Sequence, residues 1–403
     1  FLDGIVKLDV EHIYKLFFYA RKANRPLSSL SKTGMWKKQV RLEEKRAREF
    51  VRGLLVTYKK RGGFINQQIK TDDVLIDDFV KAFKHQDTVD QEVCWNNIID
   101  DFKSNRPLNR LICGDVGFGK TEMAIRASFV ASLSGLRVLV LAPTTILANQ
   151  LFECFFSRLN SFGVFVGVLS SVSKNNKKTI SNFVSGTLDI IIGTSSILFQ
   201  KNLLRVCGLF IIDEEHRFGV KNKEKILEIN PSVNFLAMSA TPIPRSLQLS
   251  LSRVRNLSLL SSPPKNRKPI ISNVSYFNIS IIKSSILREI NRDGQVYIVD
   301  NSVNSLKKLK QEISSIFPAL SVEIIYSSMG GPRLVDVMSK FSLGKIQVLF
   351  STTIIESGID VSSCNTIIIN NAHRFGLSQL YQLRGRVGRS FSQAYAWFLL
   401  PPK

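Results

Sequence analysis

Three stretches of this sequence carry residue types and spacings suited to phosphate chemistry. The first is Gly114-Asp115-Val116-Gly117-Phe118-Gly119-Lys120-Thr121, which follows the apolar run Leu111-Ile112-Cys113 and leads into a helical pattern from Glu122 to Ala127. Strand, glycine-rich turn and helix in that order let successive backbone N–H groups and a helix N-terminus converge on phosphate oxygens. Lys120 would reach the outer phosphates, and the Thr121 hydroxyl would face Mg²⁺. A glycine-rich turn that happens to precede a lysine is the plain alternative. In the second stretch, Ile211-Ile212-Asp213-Glu214-Glu215-His216, an apolar strand ends in three consecutive acids. Such charge density is costly at a strand tip unless a cation sits there. Asp213 suits a Mg²⁺ position and Glu214 suits a group that prepares the attacking water. The third stretch, Gln379 to Arg389, spaces arginines with glycines, so that guanidinium forks could approach a phosphate closely. Taken alone, that string could equally be a basic surface loop.

The elements that must position these residues follow from the pattern of apolar runs. Val138–Ala142, Val164–Leu169, Leu188–Ile192, Leu209–Ile212 and Phe235–Met238 join Leu111–Cys113 as strands separated by amphipathic stretches. Continuous apolar strands alternating with helices predict a doubly wound parallel sheet, with ligands at the carboxyl ends of its strands. Ser261 to Pro269 holds three prolines and cannot continue either element. Beyond it Val296–Val299, Val322–Tyr326, Val348–Phe350, Thr366–Ile369 and Ala394–Leu399 predict a second sheet. The expected organisation is a basic helical segment over 1–74, a first α/β domain over 75–260, a linker over 261–269 and a second α/β domain over 270–403. In the first segment Trp36, Val40, Ala47, Val51, Leu54 and Tyr58 recur near helical period among lysines and arginines. That pattern suits a solvated helix docked on a core, or a nucleic-acid or protein contact.

Composition narrows the partners. The 403 residues are 44% hydrophobic, with 55 Lys and Arg against 32 acids and a net charge of +23. That surplus favours a polyanion, and no run has the apolar length of a membrane span. The five cysteines are scattered without metal-ligand spacing and read as free thiols of a reducing compartment. The chain opens on Phe1 in mid-pattern, which predicts a segment of a longer protein.

Taken together, these stretches resemble superfamily-2 helicases and translocases with two RecA-like domains, over residue 85 to the end. Asp90-Gln91 resembles the adenine-recognising glutamine motif. Pro143-Thr144-Thr145 and Gly193-Thr194 resemble the strand-contacting motifs of the first domain, and Ser239-Ala240-Thr241 the coupling motif. Thr352-Thr353-Ile354-Ile355-Glu356-Ser357-Gly358-Ile359-Asp360 resembles the fifth motif and Gln382 to Arg389 the sixth. The resemblance implies that ATP and Mg²⁺ bind between two lobes. Residues 114–121 (Gly114, Asp115, Val116, Gly117, Phe118, Gly119, Lys120, Thr121), Gln91, Gln382, Gly358 and Asp360 would contact nucleotide. Thr121 and Asp213 would hold the metal, with Glu214, Arg386 and Arg389 completing catalysis. It also assigns DNA contacts to Pro143, Thr144, Thr145, Gly193, Thr194, Thr352 and Thr353, and coupling to Glu215, His216, Ser239 and Thr241.

Longer strings narrow the resemblance. GDVGFGKTE (Gly114–Glu122), DEEHRFGV (Asp213–Val220), ATPIPR (Ala240–Arg245) and FGLSQLYQLRGRVGRS (Phe375–Ser390) are similar to the bacterial transcription-repair coupling family. The junction-migrating helicases of replication repair share several of them, with another residue where Phe118 sits and Gln where Glu215 sits. The coupling family implies a motor on double-stranded DNA that displaces stalled RNA polymerase and recruits excision-repair proteins. It implies a cytoplasmic, nucleoid location, or a plastid or other organelle for a eukaryotic source. A junction-migrating DNA helicase of replication and recombination repair, an RNA helicase and a non-hydrolysing nucleic-acid-binding remnant are the competing readings. The family's Gly-His-Gly is here Ile325-Tyr326-Ser327-Ser328-Met329, and its Gly-Thr-His is Gly193-Thr194-Ser195, so an altered grip on the strand is expected.

Overall fold

The structure, a computed structural model, describes residues 69, 73–170, 175–215, 218, 220–240, 255–264, 268–326, 328–354, 361, 363–388 and 392–402. These lie in one compact unit, Arg61–Lys403. The basic helix expected over residues 36–58 lies outside the described residues.

Two wholly parallel sheets make up the two lobes. The first runs β3-β4-β2-β5-β6-β1-β7. Its strands are β1 (Asn109–Gly114), β2 (Arg137–Leu141), β3 (Val166–Leu169), β4 (Ile190–Gly193), β5 (Cys207–Ile212), β6 (Asn234–Ser239) and β7 (Asn256–Leu260). The second runs β10-β11-β9-β12-β13-β8. It consists of β8 (Ile271–Tyr276), β9 (Gln295–Val299), β10 (Val322–Ile325), β11 (Val348–Ser351), β12 (Cys364–Ile369) and β13 (Tyr395–Leu400). The expected fold class, two RecA-like parallel-sheet domains, is what the chain adopts.

Successive residues of each strand point to opposite faces, so a strand buried on both sides must be apolar throughout. In the first sheet Ile112, Val138, Val140, Ile211 and Met238 pack one face, while Cys113, Leu139, Leu141, Ile212 and Ala237 pack the other. The second sheet divides in the same way, Tyr297, Val299 and Leu349 against Val296, Ile298 and Phe350.

Two strands were not foreseen. β7 and β8 each close one edge of a sheet, pairing on one side only, with β1 and β13 respectively. Their outer residues remain in solvent (Ile271, Val274, Tyr276 and Leu259 are exposed), so neither strand needs the continuous apolar run that betrays a central one. They lie on either side of the proline-rich stretch that joins the lobes.

The helices that matter for the site are α1 (Asp73–Lys81), α2 (Val89–Lys103), α3 (Lys120–Leu133) and α4 (Thr145–Leu159) in the first lobe. In the second they are α5 (Val303–Ile316) and α6 (Leu377–Arg384). The lobes touch: Ile146 of α4 packs into the apolar cluster of the second lobe.

Candidate active site between the lobes

The loop between β1 and α3 is shaped by its own glycines and braced from α2. Gly117 and Gly119 take φ of 80° and 83°, which side chains other than glycine adopt at a cost. Gly119 is the N-cap of α3, and a Cβ there would collide with the Gln91 side-chain amide. Gln91 itself is locked in a capping box. The Thr88 N–H donates to Gln91 Oε1 at 2.9 Å, and the Gln91 N–H donates to Thr88 Oγ1 at 3.3 Å. Its Nε2 then donates to the Phe118 carbonyl at 3.0 Å. The residue expected to read adenine therefore also holds the phosphate loop by its backbone.

Behind it a buried ion network ties α3 to the segment just before α2 and to α4. Arg126 donates to Asp87 at 2.6 and 3.0 Å and to Glu122 at 3.0 Å, and Arg158 donates to Glu122 at 2.8 Å.

Lys120 Nζ donates to the Gly114 and Asp115 carbonyls, at 2.7 and 2.8 Å. Its charge thus stands at the mouth of the loop, and Thr121 follows it, half-buried. β6 separates β1 from β5, and Cys113 pairs with Ser239 while Ile212 pairs with Ala237. The loop, the end of β6 and the acidic tip of β5 consequently share one edge. The Asp213 N–H donates to the Leu141 carbonyl at 2.9 Å. Burial first, and Glu214 beside it second, push the Asp213 carboxyl up to about 6, while Lys120, the Glu214 N–H and Arg386 pull it down. A buried carboxylate disfavoured in this way gains from a hard cation. Its oxygens and the Thr121 hydroxyl are hard donors of the kind that Mg²⁺ takes.

Glu214 is buried with φ 52°, a left-handed backbone rare for a residue with a side chain. Its N–H donates to Asp213 Oδ1 at 3.0 Å, and its Oε2 lies 3.5 Å from the Ala240 N–H at the end of β6. Strain of this kind persists where neighbours over-determine it, typically at working sites. Glu215 points elsewhere: its Oε1 accepts from Arg255 Nη1 at 2.6 Å and also meets Lys223. Arg255 in turn donates to the Arg110 carbonyl at 2.9 Å. The third acid is thus committed to Arg255 and Lys223, which leaves Asp213 and Glu214 for the nucleotide edge.

The second lobe meets this edge through α6 and the turn after it. Arg386 is 2% exposed, and its charge is felt by Asp213 across the lobe boundary. Gly385 sits so close to the loop that a Cβ would lie 3.0 Å from Val116 Cβ and Cγ2. Tyr381 OH donates to Asp115 Oδ2 at 3.3 Å, and Arg384 Nη2 stands 4.0 Å from the same oxygen. Gln382 is buried in α6. A 240 Å³ cleft opens beside these contacts, between Asp115 and Phe118 of the loop, Arg384 of α6, and Pro263, Pro269 and Ile270 of the connection. Asp90 fastens that connection, accepting from the Ser261 and Ser262 N–H groups at 2.9 and 2.7 Å.

The residues expected to touch DNA lie at strand ends. Thr144 follows β2 and caps α4, accepting from the Leu147 N–H at 3.3 Å, with Pro143 and Thr145 half-buried on either side. Gly193 ends β4 against the Leu169 carbonyl, where no Cβ fits, and Thr194 Oγ1 lies 3.3 Å from Ser196 Oγ. Thr352 follows β11 with its hydroxyl buried and without a partner among the described residues, and Thr353 is half-buried. Ser239 is buried at the tip of β6. Five expected site residues, His216, Thr241, Gly358, Asp360 and Arg389, lie outside the described residues. The sequence reading gave no part to Arg126 and Arg255, and it quoted Asp90, Tyr381 and Arg384 only within motifs, without these contacts. One signal was available: a carboxylate at position 115, inside a loop built for anions, has to be compensated from somewhere.

No described helix is long and apolar enough to cross a membrane.

Residues 88–249 match the DEAD/DEAH box helicase family, and residues 279–391 match the helicase conserved C-terminal domain. With both sheets in place, the chain belongs to the two-domain helicases. Its relatives include the transcription-repair-coupling factor of Borreliella burgdorferi, 45% identical over 366 residues, which are 90% of this chain and 32% of that protein. The transcription-repair-coupling factor of Bacillus subtilis is 42% identical over 90% of this chain and 31% of its own length. The chain therefore spans about a third of the curated relatives it matches. Among solved structures, RecG bound to a three-way DNA junction superposes with a TM-score of 0.72 at 31% identity, over 90% of this chain and 50% of that one. Saccharomyces cerevisiae Dbp5 bound to RNA and ADP BeF3, at 15% identity and a TM-score of 0.59, shares the fold.

Proposed function

We propose that this chain is the motor portion of a transcription-repair-coupling protein. In this reading it hydrolyses ATP to move along double-stranded DNA and displaces a stalled RNA polymerase, with excision-repair proteins as further partners. The observation that carries the reading is Arg386, which is 2% exposed in the turn after α6, where the neighbouring Gly385 lies against Val116 of the phosphate loop. Lysine and acids from one lobe and an arginine from the other thereby address one nucleotide, as a motor driven by lobe closure requires. Support for the DNA substrate comes from the relatives named as coupling factors, from the DNA-bound RecG structure and from the net charge of +23.

The chemistry asked of the protein is positioning and charge neutralisation. Backbone N–H groups of residues 114–119 and Lys120 hold the β- and γ-phosphates. Thr121 and Asp213 would hold Mg²⁺, which when bound offsets phosphate charge. Glu214 orients a water and takes its proton as the water oxygen bonds to the γ-phosphorus and the bond to the β-phosphate oxygen breaks. Arg386 and Arg389 neutralise the charge that develops, and Gln382 reports the γ-phosphate to α6. Thr144 and Thr194 then grip backbone phosphates alternately, independent of base sequence, whereas the expected contact from Thr352 is not available because its hydroxyl is buried.

The test is phosphate release with duplex DNA, with RNA and with neither. Glu214→Gln should keep nucleotide binding and lose turnover, and Lys120→Ala should weaken both. Stimulation by duplex DNA should fall steeply with salt, as counterion release demands. Stimulation by RNA alone, or unchanged turnover in Glu214→Gln, contradicts the proposal. Tight DNA binding without any release would instead mark a non-hydrolysing remnant.

A further inference from the structure

Asp115 is out of place in a loop that must receive a triphosphate. A carboxylate there repels phosphate unless its charge is engaged. The structure shows how it is engaged. Oδ1 accepts from the N–H of Val116 in its own loop at 2.7 Å, and Oδ2 accepts from Tyr381 OH of the other lobe at 3.3 Å. The Arg384 guanidinium stands 4.0 Å from Oδ2 and stacks 4.4 Å over the Tyr381 ring, which holds both side chains of α6 in one orientation. Next to this contact Gly385 lies flat on Val116, and one residue further Arg386 is buried in the turn after α6.

We propose that Asp115 is a positioning residue for ATP hydrolysis. Its carboxylate latches Tyr381 and Arg384, and so seats Arg386 opposite Asp213 and Glu214, while touching no phosphate itself. This rests on the hydrolytic reading given above. Lobe opening strips Asp115 of Tyr381 and Arg384 and leaves its charge with only the Val116 N–H of the phosphate loop. Lobe closure neutralises that charge as the arginine arrives, so retention of nucleotide and delivery of Arg386 are one event.

The test compares Asp115→Asn, Tyr381→Phe and the double variant in DNA-stimulated phosphate release. Loss of one bond to a charged group should lower kcat about tenfold in each single variant. In Asp115→Asn the KM for ATP should stay flat or fall, because a repulsive charge has been removed from the loop. The double variant should be no slower than the slower single, since both substitutions break one contact. A raised KM with unchanged kcat would mean that Asp115 serves phosphate directly, and multiplicative losses of about a hundredfold would mean that the two residues act separately; either overturns the proposal. A second arm places a dye pair at Lys177→Cys and Lys308→Cys in a Cys154→Ser background, and follows transfer efficiency as a non-hydrolysable ATP analogue is added. The change on closure should be lost in both single variants, and its retention in either overturns the latch. This arm needs no turnover, so a chain that hydrolyses nothing would refute the hydrolytic reading while the latch is still decided.

Discussion

Gln91 Nε2 donates to the Phe118 carbonyl at 3.0 Å, so the first turn of α2 holds the phosphate loop by its backbone. The same side chain blocks any Cβ at Gly119. Gln91→Ala should free the loop and raise the KM for ATP about tenfold, the equivalent of roughly one hydrogen bond between buried groups. Nucleotide titration and steady-state kinetics on one preparation check it. Gln91→Glu should be worse than Ala, since it sets a carboxylate against a carbonyl oxygen.

Gly385 has φ −67°, so any residue suits its backbone and only the approach to Val116 demands glycine. Gly385→Ala should push the lobes apart and lower kcat, while melting temperature hardly moves because each core is untouched. Val116→Ala in the same chain should restore part of the rate by making room, and failure of that rescue would place the effect elsewhere.

The linker is fastened by Asp90, whose carboxyl is held below the usual carboxylate range by the Ser262 hydroxyl first and by the N–H groups of Ser261 and Ser262, against burial. A carboxyl depressed in the folded state stabilises above its ordinary value, and that contribution is lost only as pH falls through the folded one. Amide exchange at Ser261 and Ser262 should therefore stay protected from neutral pH to about pH 4 and lose protection below it, once intrinsic rates are allowed for. Asp90→Ala should abolish that protection at all pH values.

Arg126 is fully buried and forks onto Asp87 while bonding Glu122. Removing one member of such a set strands the others, so Arg126→Met should cost about 3–5 kcal/mol in urea denaturation. Arg126→Lys should recover little of that, because a single ammonium cannot supply the fork.

Each chemical cluster was legible in the sequence because it is local. The glycines of 114–119, the acids at 213–215 and the arginines after 384 are spaced along a few residues of one strand, turn or helix. The central strands were legible for a related reason, since burial on both faces forces an unbroken apolar run. β7 and β8 escaped notice because an edge strand keeps one side in water and tolerates Asn, Ser and Tyr there.

What only the tertiary structure decided were the pairings between residues far apart in the chain. Nothing near Asp115 foretells Tyr381, 266 positions away, and nothing near Glu215 foretells Arg255. Chain order alone does not say which strands lie side by side. Here β6 comes between β1 and β5, and the second lobe turns α6 toward the loop. A side chain's chemistry is written at its own position. Whether its charge meets a phosphate, a metal or another side chain is a property of the packing, and packing is summed over the whole chain.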